Sequence, residues 1–185
     1  MAFLADIKDK LYRRRLLADA KSPEPATDGR PPRPDTAADV TIVFLADAAE
    51  DRRAVDRWRD KEQRPGRKIR VLGYFEQEVG AASFDFEVIT PKDLNWYGIP
   101  ESDAVTKYRG AATDLLMRFG PADHKVLDYL AAIKPARFRI GPYSTDTANP
   151  YHLQFDAGHA PKTAEQQAVL KHIFSFTNAT KSTKV

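Results

Sequence analysis

Residues 40–45 read VTIVFL, a continuous run of β-branched, aliphatic and aromatic side chains. A strand of that composition has no face to give to water, so it must be covered above and below, as in the interior of a parallel sheet. Further segments supply its neighbours. IRVLGYF (69–75) is a second strand that is apolar on both faces except for Arg70, and TDLLMRF carries a third around residues 115–119. RFRIG (137–141) enters another, and YHLQF (151–155) alternates as a final strand. FDFEVI (84–89) sends Phe84, Phe86 and Val88 one way and Asp85 and Glu87 the other, which predicts a strand near the sheet edge.

Helical patterns fall between these strands. The first covers about residues 48–62, with Val55 and Trp58 on its apolar side, and ends at Pro65–Gly66. A second runs from about 102 to 109, and a third from about 122 to 133 carries Val126, Leu127, Leu130 and Ile133 at the helical period. Thr163 and Gln166 form a capping-box pattern opening a C-terminal helix, with Val169, Leu170, Ile173 and Phe176 expected to face inward. Strands and helices alternating at this spacing form βα units with right-handed crossovers. The expected fold is therefore a doubly wound, mostly parallel α/β sandwich of the flavodoxin or Rossmann kind. It occupies residues 40–178, before a polar tail at 179–185.

What precedes the sandwich differs in composition. Residues 1–20 predict a basic amphipathic helix with an apolar stripe of Phe3, Leu4, Ile7 and Leu11. Residues 21–39 hold Pro23, Pro25, Pro31, Pro32 and Pro34, which remove backbone donors and fix φ. They read as a tether, which makes the helix an arm. In residues 1–15, Lys8, Lys10, Arg13, Arg14 and Arg15 face only Asp6 and Asp9. Since the whole chain carries +3, the remaining residues balance to zero. Within them, nine bases between Arg52 and Arg70 meet only three acids. Clustered positive charge of this kind suits an acidic or phosphate-rich partner.

Several chemistries are excluded by what the sequence lacks. Without cysteine there is no disulfide, thiolate metal site or cysteine nucleophile. No apolar run approaches the ~18 residues of a membrane span, and no secretory leader is legible, so a cytoplasmic protein is expected. The turn after the first strand, ADAAEDRR, has no glycine and carries Asp47, Glu50 and Asp51. Backbone amides cannot approach a pyrophosphate there, so neither a dinucleotide nor a P-loop triphosphate is expected, and no cofactor is assigned. His124, His152, His159 and His172 show no metal-ligand spacing, and no Gly-x-Ser-x-Gly elbow occurs. No metal site and no catalytic residue is assigned.

Two candidate ligand positions remain. Asp47, at the end of the first strand, is either an acid for a metal or phosphoryl group or, the favoured reading, the N-cap of the next helix. TPKDLNWYGIP (90–100) places Trp96 and Tyr97 beside Asp93 and Asn95. That is either a stacking platform with polar readers or an aromatic plug at one end of the sheet.

The segments IKDKLYRRRL, KIRVLGYF, KDLNWYGIP, TDLLMRF and YLAAIKPARFRIGPY together resemble a bacterial family of small proteins classed as a domain of unknown function. The likeness covers nearly the whole chain, with KDLNWYG its most specific part. It implies a fold boundary and no catalytic residues. The proline-rich tether is longer here than in that family, and YHLQFD stands where a more apolar strand is usual. TDLLMRF, a helix and ARFRIG are also similar to part of the N-terminal domain of heptosyltransferase-type glycosyltransferases. The second domain that holds the sugar nucleotide has no room in this chain, so transfer is not implied.

The function expected from the sequence is a non-catalytic binding protein for structured RNA or a ribosomal particle. Its contacts would be Lys8, Lys10, Arg13, Arg14 and Arg15 from the arm and Arg52, Arg53, Arg57 and Arg59 from the body. The alternatives are a sugar or nucleotide site at the strand ends near Asp47, Asp93, Asn95 and Trp96, and an adaptor docking residues 1–20 onto a partner protein.

Overall fold

The computed structural model describes residues 2–20, 31–80, 83–146, 149–156, 158 and 162–179. Six parallel strands, β1 (Asp39–Leu45), β2 (Lys68–Tyr74), β3 (Glu87–Ile89), β4 (Thr113–Phe119), β5 (Ala136–Pro142) and β6 (Leu153–Phe155), form one sheet in the order β3-β2-β1-β4-β5-β6. The run that demanded double coverage is central: Val40 pairs with Ile69 on one side and Leu115 on the other, and Val40, Ile42, Val43 and Phe44 are all fully buried. The alternating segment is an edge, as expected, though only its last three residues join the sheet while Phe84, Phe86 and Val88 pack onto the core. Winding outward from β1 and restarting at β4 gives the Rossmann strand order, with its topological switch between those two strands.

Alternation along the strands divides the interior in two. Val43, Leu72, Leu116 and Tyr74 meet α3 (Asp103–Gly110) and α4 (Lys125–Ile133), whereas Ile42, Phe44, Leu115, Met117 and Ile140 meet α2 (Ala49–Glu62) and α5 (Thr163–Ala179). Two helix starts differ from expectation for stated reasons. Gly120 and Asp123 take positive φ (115° and 54°), so the chain turns before it coils, and α4 begins only after His124, whose Nδ1 accepts the Leu127 N–H. At α5, Thr163 is already helical and its N–H donates to Asp51 of α2, while Gln166 is buried instead of closing a box. The side chain of Phe176 lies outside the described residues.

The leading helix, α1 (Ala2–Asp19), is not a free arm. It packs against α4 through a face other than the expected stripe: Phe3 and Leu4 are 76% and 60% exposed, while Tyr12, Leu16 and Asp19 turn inward. The Tyr12 hydroxyl donates to the Lys125 carbonyl at 2.7 Å. Asp19 accepts from Tyr129 (2.6 Å) and Arg15 (2.5 Å) and lies 3.3 Å from Arg109. Burying one large side chain contributes about 1.5–3 kcal/mol, and these polar contacts add to it in holding α1 against α4.

Of the expected tether, residues 21–30 lie outside the described residues, and so do 180–185 of the tail. Residues 31–38 are fixed: Ala37 is buried, Arg33 stacks over Phe174, and Arg67 donates to the Pro34 carbonyl. Among the described residues no helix is long and apolar enough to cross a membrane.

Candidate functional site

In a sheet of this order a ligand is expected beyond the carboxyl ends of the strands, near β1 and β4. The β1 end is closed. Both carboxylate oxygens of Asp47 accept the Glu76 N–H, at 3.2 and 3.1 Å, so this residue clamps β2 to β1 and does not cap α2, whose N-cap is Ala48 with no side-chain bond. Arg52 folds back onto the carbonyls of Ala46 and Asp47 and lies over the rings of Phe75 and Phe84. Glu50 and Asp51 occupy the first turn of α2 and engage Lys162 and the Thr163 N–H. The positive end of that helix dipole is thus answered from within the protein, and a phosphate has no place there.

The ends of β4 and β5 are open instead. Arg118, fully buried on β4, donates to the Gly120 carbonyl at 2.9 Å and lies 3.2 Å from Asp128 of α4; its Nε has no hydrogen-bond partner among the described residues. Asp128 also accepts the Tyr151 hydroxyl at 2.5 Å. Burial raises the Asp128 pKa, and Arg118 and Tyr151 pull it back towards the ionised form. Burial and the Asp128 charge hold the Tyr151 phenol well above its ordinary value, although Arg118 opposes them. Gly141 makes this possible, because a Cβ there would collide with the Tyr151 ring. Gln166 secures the turn above Arg118, accepting the Gly120 N–H at 2.8 Å and donating to its carbonyl at 2.9 Å. Burial, then Arg118, lower the pKa of His124, which sits 3.4 Å from Glu76 and edge-on to Tyr74.

Over this buried trio lies a cleft of about 520 Å³, with α1 as one wall and the turns after β4 and β5 as the other. Asp9, Tyr12, Arg13 and Leu16 line it from α1, Lys125 and Asp128 from α4, and Ser144 and Asn149 from the β5–β6 connection. Asp9 pairs with Lys125 (2.7 Å) and Arg13 (2.9 Å), and Ser144 donates to Asp123 at 2.5 Å. The size matches that of small-molecule sites, and the polar groups converge on one space. Among the described residues no three His, Asp or Glu side chains come together to hold a metal ion.

The residues singled out from sequence are distributed otherwise. Asp93 accepts the Thr90 N–H, and Asn95 accepts the N–H groups of Tyr97 and Ile99, so both serve their own turn. Tyr97 packs on the core as a plug would, but Trp96 is 60% exposed. Asn95, Trp96 and Tyr97 line a shallow groove with Lys8 of α1, separate from Asp47. Of the basic residues, Lys10, Arg13 and Arg15 pair with Asp6, Asp9 and Asp19 along α1, and Arg59 pairs with Asp85 and Asp56. Lys8, Arg14, Arg53 and Arg57 have no ion pair among the described residues, but α1 and α2 cover opposite faces of the sheet, so the two patches do not form one surface.

Arg118, Asp128 and Tyr151 went unread in the sequence. Their signal was a charge inside an apolar run, Arg118 in TDLLMRF and Asp128 in KVLDYL, since a buried charge requires a partner.

Residues 8–175 match the model of a family of unknown function, DUF6913. No curated protein and no solved structure matches the chain.

Proposed function

The chain belongs to the DUF6913 family, and we propose that it binds a small polyhydroxylated molecule, sugar-like and without phosphate, in the cleft over β4 and β5. The observation that carries this reading is Asp128, held at the cleft wall by Arg118 and Tyr151 at the strand ends where this fold binds ligands. The cleft presents Asp9, Asp123, Asp128 and Asp146 against two cations, Arg13 and Lys125. Carboxylates accept paired hydroxyls and repel phosphate, while Leu16, Leu17 and Pro150 offer an apolar surface to a sugar ring. The reading is binding without turnover: Ser144 is hydrogen-bonded to Asp123, and His124 is directed at Glu76.

Calorimetric titration with neutral monosaccharides, amino sugars and sugar phosphates tests this. A neutral sugar should bind saturably, at 1 M NaCl as at 0.15 M, an amino sugar more weakly at the higher salt, and both should lose affinity about tenfold or more with Asp128→Asn or Asn149→Ala. Binding confined to the phosphorylated members, or unchanged in both folded variants, would refute it.

A second reading rests on Lys8, which lines a groove beside the exposed Trp96. A cation next to a free aromatic face suits a nucleic-acid strand or another acidic partner. Phe3 and Leu4, exposed on the same helix, are what a protein docking on residues 1–20 would meet. RNA binding that falls steeply with salt and is lost in Trp96→Ala would support the nucleic-acid form; binding indifferent to both would end it.

A further inference from the structure

On the other side of the sheet, α2 and α5 leave a groove between them above the core. Ala54, Ala164 and Ala168 are too small to fill the space between the helices, and a groove of about 490 Å³ reaches down to Met117 and Phe119 of β4, with Trp58 and Leu170 among its walls. Met117 and Phe119 are themselves 1% exposed each, so the apolar surface open to a ligand is that of Trp58, Ala164 and Ala168 above them. The rim is charged unevenly. Its two acids are already engaged, Asp35 with Arg33 at 3.3 Å and Glu62 with Arg67 at 2.9 Å. Arg57, Lys61 and Lys171 stand at the same rim, exposed and without an ion pair or hydrogen bond among the described residues.

We infer that this groove binds an anionic amphiphile, an alkyl chain lying against Trp58, Ala164 and Ala168 with its carboxylate among Arg57, Lys61 and Lys171. An apolar floor gains nothing from a polyanion, and three unanswered cations gain nothing from a neutral alkane. One ligand chemistry satisfies both, a single anionic head on a hydrocarbon tail. The groove lies on the layer opposite the cleft proposed above, so either site can fail without the other.

Trp58 and Trp96 are the only tryptophans, so Trp96→Phe leaves Trp58 as a reporter in the wall of the groove. Dodecanoate titrated into that variant, below its micelle concentration, should change Trp58 emission saturably. Replacing Arg57, Lys61 and Lys171 by Gln should weaken dodecanoate about tenfold or more and leave dodecanol within about twofold. Ala168→Phe, which fills the groove from α5, should weaken both. The inference is overturned if no saturable change occurs, if the charge variant binds dodecanoate unchanged, or if anionic phospholipid vesicles shift Trp58 while the free acid does not.

Discussion

Lys134 offers a test of the packing with a sign that can be worked out in advance. It ends α4 just before β5, at the end of the strands opposite the cleft, and it is fully buried. Its Nζ donates to the Tyr108 carbonyl at 2.6 Å and lies 4.4 Å from the centre of the Tyr108 ring. Burial, and then Arg70, push its pKa from the ordinary 10.5 down to about 8, against the pull of Asp39 and Glu87. Between those two values the unfolded chain holds a proton that the folded one has released, so stability rises with pH through this window. At 1.36 kcal/mol per unit, the protonated state costs the fold about 3 kcal/mol at pH 7, of which about 2 kcal/mol is recovered by pH 9.5. A neutral amine still donates N–H, so the bond to Tyr108 survives the change. Lys134→Met keeps the chain length but leaves the Tyr108 carbonyl without its donor, at a cost of about 1–2 kcal/mol. The variant should therefore be more stable than the parent by about 1–2 kcal/mol at pH 7, with the advantage gone by pH 9.5. Urea unfolding at pH 7, 8, 9 and 9.5, taken as the difference between the two proteins, isolates this one group. The range stops there because the Tyr108 and Tyr151 phenols, raised by burial, begin to lower stability at higher pH. A parent protein flat across the range, with a variant that is less stable at pH 7, would refute the reasoning.

Gln166→Leu removes both of its bonds to Gly120, leaving the buried N–H unpaired and the carbonyl to Arg118 alone; a loss of about 1–3 kcal/mol in urea unfolding is expected, with faster hydrogen exchange at the Gly120 amide. Gly141→Ala drives the Tyr151 ring away from Asp128, costing about 1–3 kcal/mol in thermal unfolding, and should abolish ligand binding in the cleft with it. Burial alone would raise the Asp19 pKa, but hydrogen bonds from Tyr129 and Arg15 outweigh it and hold the value below the usual carboxylate range. The stability it lends is thus present at neutral pH and lost as pH falls through the folded value. Protection of the α1 amides, taken relative to their intrinsic exchange rate at each pH, should fall on acidification in the parent and be low at every pH in Asp19→Asn; equal protection in the two would sever the link between Asp19 and docking.

The sheet was legible because its evidence is local. A strand such as VTIVFL declares within six residues that both its faces are covered, and FDFEVI declares within six that one is not. The docking of α1 was not legible, because the face that docks is not the most apolar one. Tyr12, Leu16 and Asp19 follow one another at i, i+4 and i+7, and the last of these is charged. A hydropathy stripe prefers Phe3 and Leu4, which remain in solvent. Asp19 becomes an inward-facing residue only through Tyr129 and Arg109, each about ninety or more positions away, and no local rule names them. The same holds for the candidate site. Asp47 was read within its own turn, when its partner is the amide just past the end of the next strand. Arg118 was passed over as one residue in an apolar strand. A guanidinium between Met117 and Phe119 cannot remain unanswered. The answering carboxylate comes from the crossover helix that follows β4, which packs on the face Arg118 points to, and KVLDYL carries one acid, Asp128. Charge demand combined with crossover topology thus leads from Arg118 to Asp128, and from there to the wall of the cleft.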